Sequence, residues 1–526
     1  MGRATRRKKQ LLSASLEQPL DRVNVLGDGH SGHTGCVNAL SWARDGEVLL
    51  SAGDDTTVHV WKIDSAITTT DYPFVCDAVI RTGHHGNIFN AQLLPHSSRI
   101  ATVARDGQVR IADVGDLVRQ AVTGRQAIYT PRQTNCRVLR CHSDSVKRII
   151  TEDSPDLFLT VSEDGAVRQH DLRTHHVCSD RQCPAPLVHM RHGLSSISLS
   201  PLTPYQFVIG GESPYGYLFD RRQTGRHLSY EWGLSPEVDS LTTCVRRFGR
   251  ASSAPGENKG FEHITGVRMA KHNGHEVSYS SDASYLYSTQ DHAQPTTPKQ
   301  SAVLPSNKRQ KTQSPPSSPI MGSSGTIGSS ISDSVMEDDI ERYKDVNDDE
   351  GASDSSEDED LNNDVTENDE DRDLETAQEL RFYPDVPVVL PRGRFAGACN
   401  VETVKDVNFL GPNDEFVASG SDDGNLFLWK KSTGKLHDIL EGDGTVVNVI
   451  EDHPSLPLLA VSGIDTTVKL FAPANGVRRF SRIHNADNII ERNTEAASSR
   501  VDLTRYIMYS EVARRMGLEG DQCVHQ

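Results

Sequence analysis

The sequence predicts an all-β fold made of repeated four-stranded antiparallel units closed into a ring of seven blades. Three observations predict it. First, a spacing recurs: His33 precedes Asp55 by 22 residues with Trp61 six further on, and the sets His84, Asp106, Ala112 and His142, Asp164, His170 repeat it. Second, an apolar run such as "VNALSW" follows each His, and a second run such as "VLLSAGD" ends in small residues. Third, each Asp sits at a tight turn that opens an alternating strand such as "TVHVW". Short strands separated by turn residues at a fixed period are the pattern of antiparallel propeller blades.

The units follow in order. The first runs from Gly32 to Trp61 and the second from Gly83 to Ala112. The third carries His142, Asp164 and His170. A fourth is degenerate, with Ser213 at the turn and Phe219 six residues later; in a fifth, Asp282 stands one place late relative to Tyr287. In the sixth, "FVASGSDDGNLFLW", Asp423 precedes Trp429 by six. The last has Asp443 in the His place, then Asp465 and Phe471. The stretch "RVNVLG" (22–27) precedes the first unit and suits the outer strand of the last, which would close the ring and remove an open edge.

After Tyr287 the pattern stops for about 90 residues and resumes near Phe382, where "FYPDVPVVLP" suits the missing outer strand of blade five. The intervening stretch is rich in Pro, Ser and Gln, then Gly and Ser, then acid; such composition cannot bury enough apolar surface to offset its ordering entropy, so disorder is expected. The expected organisation is a basic N-terminal segment with a short helix at 1–20, blades one to five (start) at 21–290, a disordered Ser/Pro-rich and acidic insertion at 291–380, blades five (end) to seven at 381–475, and a partly helical tail at 476–526. A long loop inside a blade is tolerable because closure entropy grows only logarithmically with length.

The bulk numbers agree. The chain has 526 residues, 36% hydrophobic, and a mean hydropathy of -0.51. The formal net charge is -18, and the 22 acidic and 3 basic residues between Asp333 and Glu379 account for all of it. The remainder is close to neutral, so the overall charge describes the insertion, a candidate binder of basic proteins such as histones, and not the propeller. The clusters "RRKK" (6–9) and "NKRQK" (307–311) have the composition of nuclear import signals, so a nuclear or cytoplasmic location is expected. Ser314 and Ser318 precede Pro, and Ser353, Ser355 and Ser356 lie in acid, as kinase targets do. No signal peptide, myristoylation motif or membrane-spanning apolar run is evident.

The nine cysteines are scattered. The nearest approaches to ligand spacing are Cys136-x4-Cys141-His142 and His176-x-Cys178-x4-Cys183; neither is C-x2-C and neither is completed by a second pair, so thiols of the core and loops, and no metal or cofactor, are expected. No phosphate loop, H-E-x-x-H or G-x-S-x-G occurs, and no stretch interleaves basic and aromatic residues as a nucleic-acid platform does. Binding, not catalysis, is the expected function.

The repeat resembles WD40 repeats, whose His, Ser/Thr, Asp and Trp form a hydrogen-bonded tetrad. The resemblance implies a WD40 β-propeller. It implies tetrad roles for His33, Ser51, Asp55 and Trp61 in full, and in part for His84, Thr102 and Asp106; His142, Thr160 and Asp164; Asp423 and Trp429; and Asp465. Incomplete sets suggest looser blades.

Past the Trp position, blade three reads Asp171-Leu172-Arg173 and blade four Asp220-Arg221-Arg222. Arginine offers a planar bidentate charge, and interface hot spots are enriched in it. These boxes resemble the W-D-x-R box of substrate receptors of cullin-4 RING ubiquitin ligases, and "ARDGQVR" and "NFLGPNDEFVASGSDDG" are similar to the subgroup with an acidic insertion late in the propeller. The resemblance implies that Asp171, Arg173, Asp220 and Arg222 dock the ring on the damaged-DNA-binding adaptor subunit, and that a protein substrate binds elsewhere. Gln169, His170 and Phe219 depart from the box, and Ser213 and Gly216 weaken the second one. Leu11, Leu12, Leu16 and Leu20 suit a second contact on a short helix that Pro19 must end. The competing expectation is an adaptor-independent scaffold for chromatin or ribosome assembly, working through 333–379.

Overall fold

The architecture comes from a computed structural model that describes residues 3–28, 31–115, 126–174, 178, 183, 185–222, 244–250, 263–272, 274, 276–280, 282–292, 383, 386–474 and 476–498. The expected disorder of 291–380 therefore falls almost wholly outside the described residues, as do "NKRQK", the candidate phosphorylation sites, His176 and the tail beyond 498.

Among the described residues seven sheets form a β-propeller, antiparallel apart from a parallel fifth strand added to blade one (Ala127–Tyr129) and to blade four. Blade one is built from Val37–Ala43, Val48–Gly53, Thr57–Ile63 and Phe74–Arg81, and the other blades repeat the four-strand meander. In five blades the innermost pair shifts register at its start, as between Val37 and Ala39 or Ile88 and Asn90. Such a bulge increases local twist, which suits strands converging on the axis. Seven apolar clusters lie one between each pair of neighbouring blades: Ala39, Val60 and Ile80 of blade one meet Ile88 and Ile100 of blade two, and so on round to Leu458 and Val468 of blade seven against Leu40 and Trp61 of blade one. Burial of these facing surfaces, at roughly 25 cal/mol per Å2, holds the ring together.

Strand Leu20–Leu26 closes the ring, pairing antiparallel with Val468–Pro473 from Leu20↔Pro473 to Leu26↔Val468. Helix α1 (Arg3–Leu16) precedes it and buries Leu16 with Leu20 among Leu410, Phe416 and Phe471 of blades six and seven. Leu20 is thus a strand residue, not part of the helix, and "RRKK" lies on α1. Helix α2, 486–498, packs Ile489 between blades five and six, near Phe395 and Trp429.

The outer strand of blade five differs from the sequence expectation. It is Gly393–Phe395, which pairs with Ser284–Ser288 from Leu286↔Gly393 to Ser284↔Phe395. Val388–Val389, within "FYPDVPVVLP", instead lies parallel to Cys244–Phe248 as a fifth strand of blade four. Burial explains the choice: Val389 is fully buried against Phe248 and Val208 of the blade four–five core.

A candidate docking face and the tetrads behind it

The tetrads fix the direction of each blade. In blade one, Trp61 Nε1 donates to Ser51 Oγ at 2.8 Å, the Ser51 hydroxyl meets His33 Nε2 at 2.7 Å, and His33 Nδ1 donates to Asp55 Oδ2 at 2.9 Å. The Asp55 carboxylate also accepts the Thr57 N–H and hydroxyl, tying strand two to strand three. Burial opposes the ionisation of Asp55, but the bonds from His33 and Thr57 outweigh it and hold its carboxyl well below the usual range. Blade two has the same chain through His84, Thr102 and Asp106, without a Trp.

Blade three was expected to be looser because His170 replaces Trp. Its tetrad is complete: His170 Nε2 meets Thr160 Oγ1 at 2.8 Å, Thr160 meets His142 Nε2 at 2.8 Å, and His142 Nδ1 donates to Asp164 at 2.9 Å. An imidazole N–H serves there as the indole N–H does in blade one. In blade four, Ser213 does the work of the turn Asp, its Oγ accepting the Tyr215 N–H at 3.2 Å and lying 2.6 Å from the buried Tyr217 hydroxyl.

Two blades depart from the expected roles. In blade six, Asp423 has no His partner; it accepts from Asn425 and, at 3.1 Å, from Asn493 of α2, while its neighbour Asp422 caps the Val401 N–H and pairs with buried Lys405. In blade seven, Lys469 replaces His by bridging Asp443 at 3.0 Å and Asp465 at 2.7 Å. Each substitution keeps a buried charge paired, as low dielectric requires.

Because each third strand runs away from its Asp turn, the residues after the Trp position lie on the opposite face. Asp171 pairs with Leu157 and Asp220 with Gln206, both at the start of a second strand, so the two boxes occupy equivalent places on adjacent blades. Their internal geometry is nearly identical. Arg173 Nε and Nη2 donate to Asp171 at 2.9 and 2.8 Å, and Arg222 Nε and Nη2 donate to Asp220 at 3.0 and 2.7 Å; each Asp also accepts its Arg's backbone N–H at 3.0 Å. The guanidinium bonds hold both carboxyls below the usual range. The Asp side chains are largely covered, yet the Arg side chains are 64% and 62% exposed. The result is two anchored, outward guanidinium planes.

Three supports escaped the sequence reading. Arg137, on the outer strand of blade two, donates to the carbonyls of Leu172 and Thr174 and so holds the first box. Tyr205 lies under Arg222 with its ring centre 3.6 Å from the guanidinium carbon. Arg221, the middle residue of the second box, donates to Gln169 Oε1 at 2.7 Å and pairs with Glu152 at 3.0 Å, both in blade three. Helix α1 borders the same face of the ring: Ser13 donates to Glu415, Lys430 to Glu17, and a groove of about 400 Å3 lies between Arg7, Leu11 and Leu12 and the Ser455–Pro457 turn. Leu11 is exposed.

The cysteines also come together in a way their spacing did not indicate. Cys141, Cys178 and Cys183 converge, their sulfurs all within 4.8 Å of one another, while Cys136 stays outside the cluster.

A family model described as "WD domain, G-beta repeat" matches residues 25–62 and 394–430. With these repeats and seven blades, the fold is a seven-bladed WD40 β-propeller. Over 265 residues it is 35% identical to WD repeat protein iqw1 of Schizosaccharomyces pombe, covering 49% of this chain and 31% of that protein. It is 24% identical to Protein ALTERED SEED GERMINATION 2 of Arabidopsis thaliana, covering 85% and 86% of the two chains. It is 29% identical to human DDB1- and CUL4-associated factor 6, covering 49% and 27%. The matched stretch thus spans under a third of the fission-yeast and human relatives. Among the described residues, no helix is long and apolar enough to cross a membrane.

Proposed function

We propose that this chain is a non-catalytic substrate receptor that docks on the DDB1-type adaptor of a cullin-4 ubiquitin ligase and presents proteins for ubiquitination. One observation carries the proposal: two Asp-anchored guanidinium groups stand exposed at equivalent positions of adjacent blades. A pre-set Arg fork loses little side-chain entropy on meeting a partner carboxylate or carbonyl, which is the property a docking hot spot needs. The name of the human relative, DDB1- and CUL4-associated factor 6, supports the same reading. Exposed Leu11 and its groove offer α1 as a second contact on the same face. The tetrad face is left for substrate, and action in the nucleus or cytoplasm fits the basic "RRKK" cluster. Co-elution of the purified full chain with the purified adaptor in size-exclusion chromatography tests the proposal; separate elution at micromolar concentration refutes it.

The second reading is an adaptor-independent scaffold that gathers basic nuclear proteins on the segment 333–379. Its support is the concentration there of a net charge of -19. It predicts that histone binding falls with rising salt and disappears when 333–379 is deleted, whether or not the adaptor binds.

A further inference from the structure

We propose that Cys141, Cys178 and Cys183 form a structural zinc site that pins the third-to-fourth-strand connection of blade three to the blade two–three seam. The three thiols come from distant places in the chain. Cys141 lies just before the tetrad His142, and Cys178 and Cys183 lie in the connection that follows the Asp171–Arg173 box. Cys141 Sγ and Cys178 Sγ are 3.6 Å apart, far longer than a disulfide, which is about 2.0 Å. Zinc–thiolate bonds of about 2.3 Å in a tetrahedron place ligand sulfurs roughly 3.8 Å apart, close to this separation. The trio supplies three of the four ligands of a closed structural site, which a fourth protein donor would complete.

The surroundings fit a metal ligand set better than ordinary core thiols. Cys141 is buried, and Cys178 and Cys183 lie partly buried at the edge of the blade two–three cluster. The Arg140 backbone N–H points at Cys178 Sγ at 3.2 Å, the kind of donor that neutralises a metal-bound thiolate. The outer strand that should anchor the connection is only Val188–His189, with two register pairs to Ala166 and Val167. Leu172, Cys178 and Cys183 lean on the Leu139–Phe158 cluster, and a metal bound there would fix the backbone that follows Arg173. Because zinc binds thiolates, loading the site releases the thiol protons to solvent.

The test is metal analysis of the full chain purified from zinc-supplemented cells. The site predicts about one zinc per chain, and less than about a tenth of that in the Cys178→Ser/Cys183→Ser variant, with Cys36→Ser and Cys244→Ser unchanged. Wild-type protein without stoichiometric zinc, a disulfide among the three in the intact mass, or zinc retained in the double variant overturns the proposal. If the double variant fails to fold, cobalt loading of the wild-type chain decides: a thiolate-to-cobalt charge-transfer band supports the site, and its absence overturns it.

Discussion

Arg221 of blade four donates a 2.7 Å hydrogen bond to Gln169 of blade three, and this contact couples the two boxes. Arg221 lies between Asp220 and Arg222, and Gln169 stands two residues before Asp171, so each box's spacing is fixed to its neighbour. Gln169, which departs from the aliphatic residue expected there, has a partner that an aliphatic side chain would forfeit. Gln169→Leu should lower unfolding free energy by about 1 kcal/mol, with Arg221 still paired to Glu152. Urea denaturation measures the stability change, and adaptor affinity should fall less than on losing either exposed arginine.

His170 completes a buried tetrad and stacks on Phe158 at a centroid distance of 4.9 Å. His170→Leu removes the third member of the Thr160 chain and should cost about 1–3 kcal/mol. His170→Trp, which restores an indole N–H, should cost less. Equal losses in the two variants would show that the Thr160 bond contributes nothing.

Stability should fall in two stages on acidification. Burial pushes His59 down to about 3 and His453 down to about 4. His453 Nδ1 accepts two backbone N–H groups, from Ser455 and Leu456, while Nε2 donates to the Gly46 carbonyl, so the folded ring is neutral. The unfolded chain takes up these protons near 6.5, so stability is full above that value and declines as pH falls toward the folded values. Asp106 and Asp164 sit at about 2, burial opposing and the histidine bonds prevailing, so their contribution is lost between about 4 and 2. Asp452 runs the other way. Burial raises it to about 6, so its contribution is present below the unfolded value and is lost as pH rises through 6. Thermal melts from pH 7 to 3 check this, and His453→Asn should flatten the first stage.

The chain re-enters at Val388–Val389 on blade four and then pairs Gly393–Phe395 with Ser284–Ser288, the strand before the insertion, so both ends of the insertion lie at the blade four–five seam. Replacing 293–382 by a short Gly/Ser linker, which keeps Tyr383 on Tyr217 and Phe219, should therefore leave the propeller folded. Loop-closure entropy predicts a gain of no more than about 2 kcal/mol. Calorimetry reads the gain. A large loss of stability would mean that the removed residues contribute to the fold.

The ring was legible because blades one to three carry the His–Asp spacing and the others repeat the turn and the short strands around it. Where that signal is chemical rather than positional, it misleads. His170 counted as a missing Trp although its N–H does the same work, and Asp443 counted as a missing His although Lys469 completes the pair. Val388–Val389 has the composition of an outer strand, but nothing local specifies a parallel partner in blade four. The two boxes were readable from register alone. Their supports Arg137 and Tyr205 were not, because they come from other strands and only the folded ring brings them near.

The most direct test is adaptor binding by the Arg173→Glu/Arg222→Glu variant, measured by interferometry beside the wild type. Both side chains are exposed and neither lies in a core cluster, so the variant should remain folded, with a melting temperature lowered by the loss of the Asp171 and Asp220 pairs, and circular dichroism checks the fold before binding is compared. Docking through the paired boxes predicts that affinity falls by at least about 100-fold, as for charge reversal at interface hot spots. A folded variant that binds the adaptor as tightly as the wild type would contradict it.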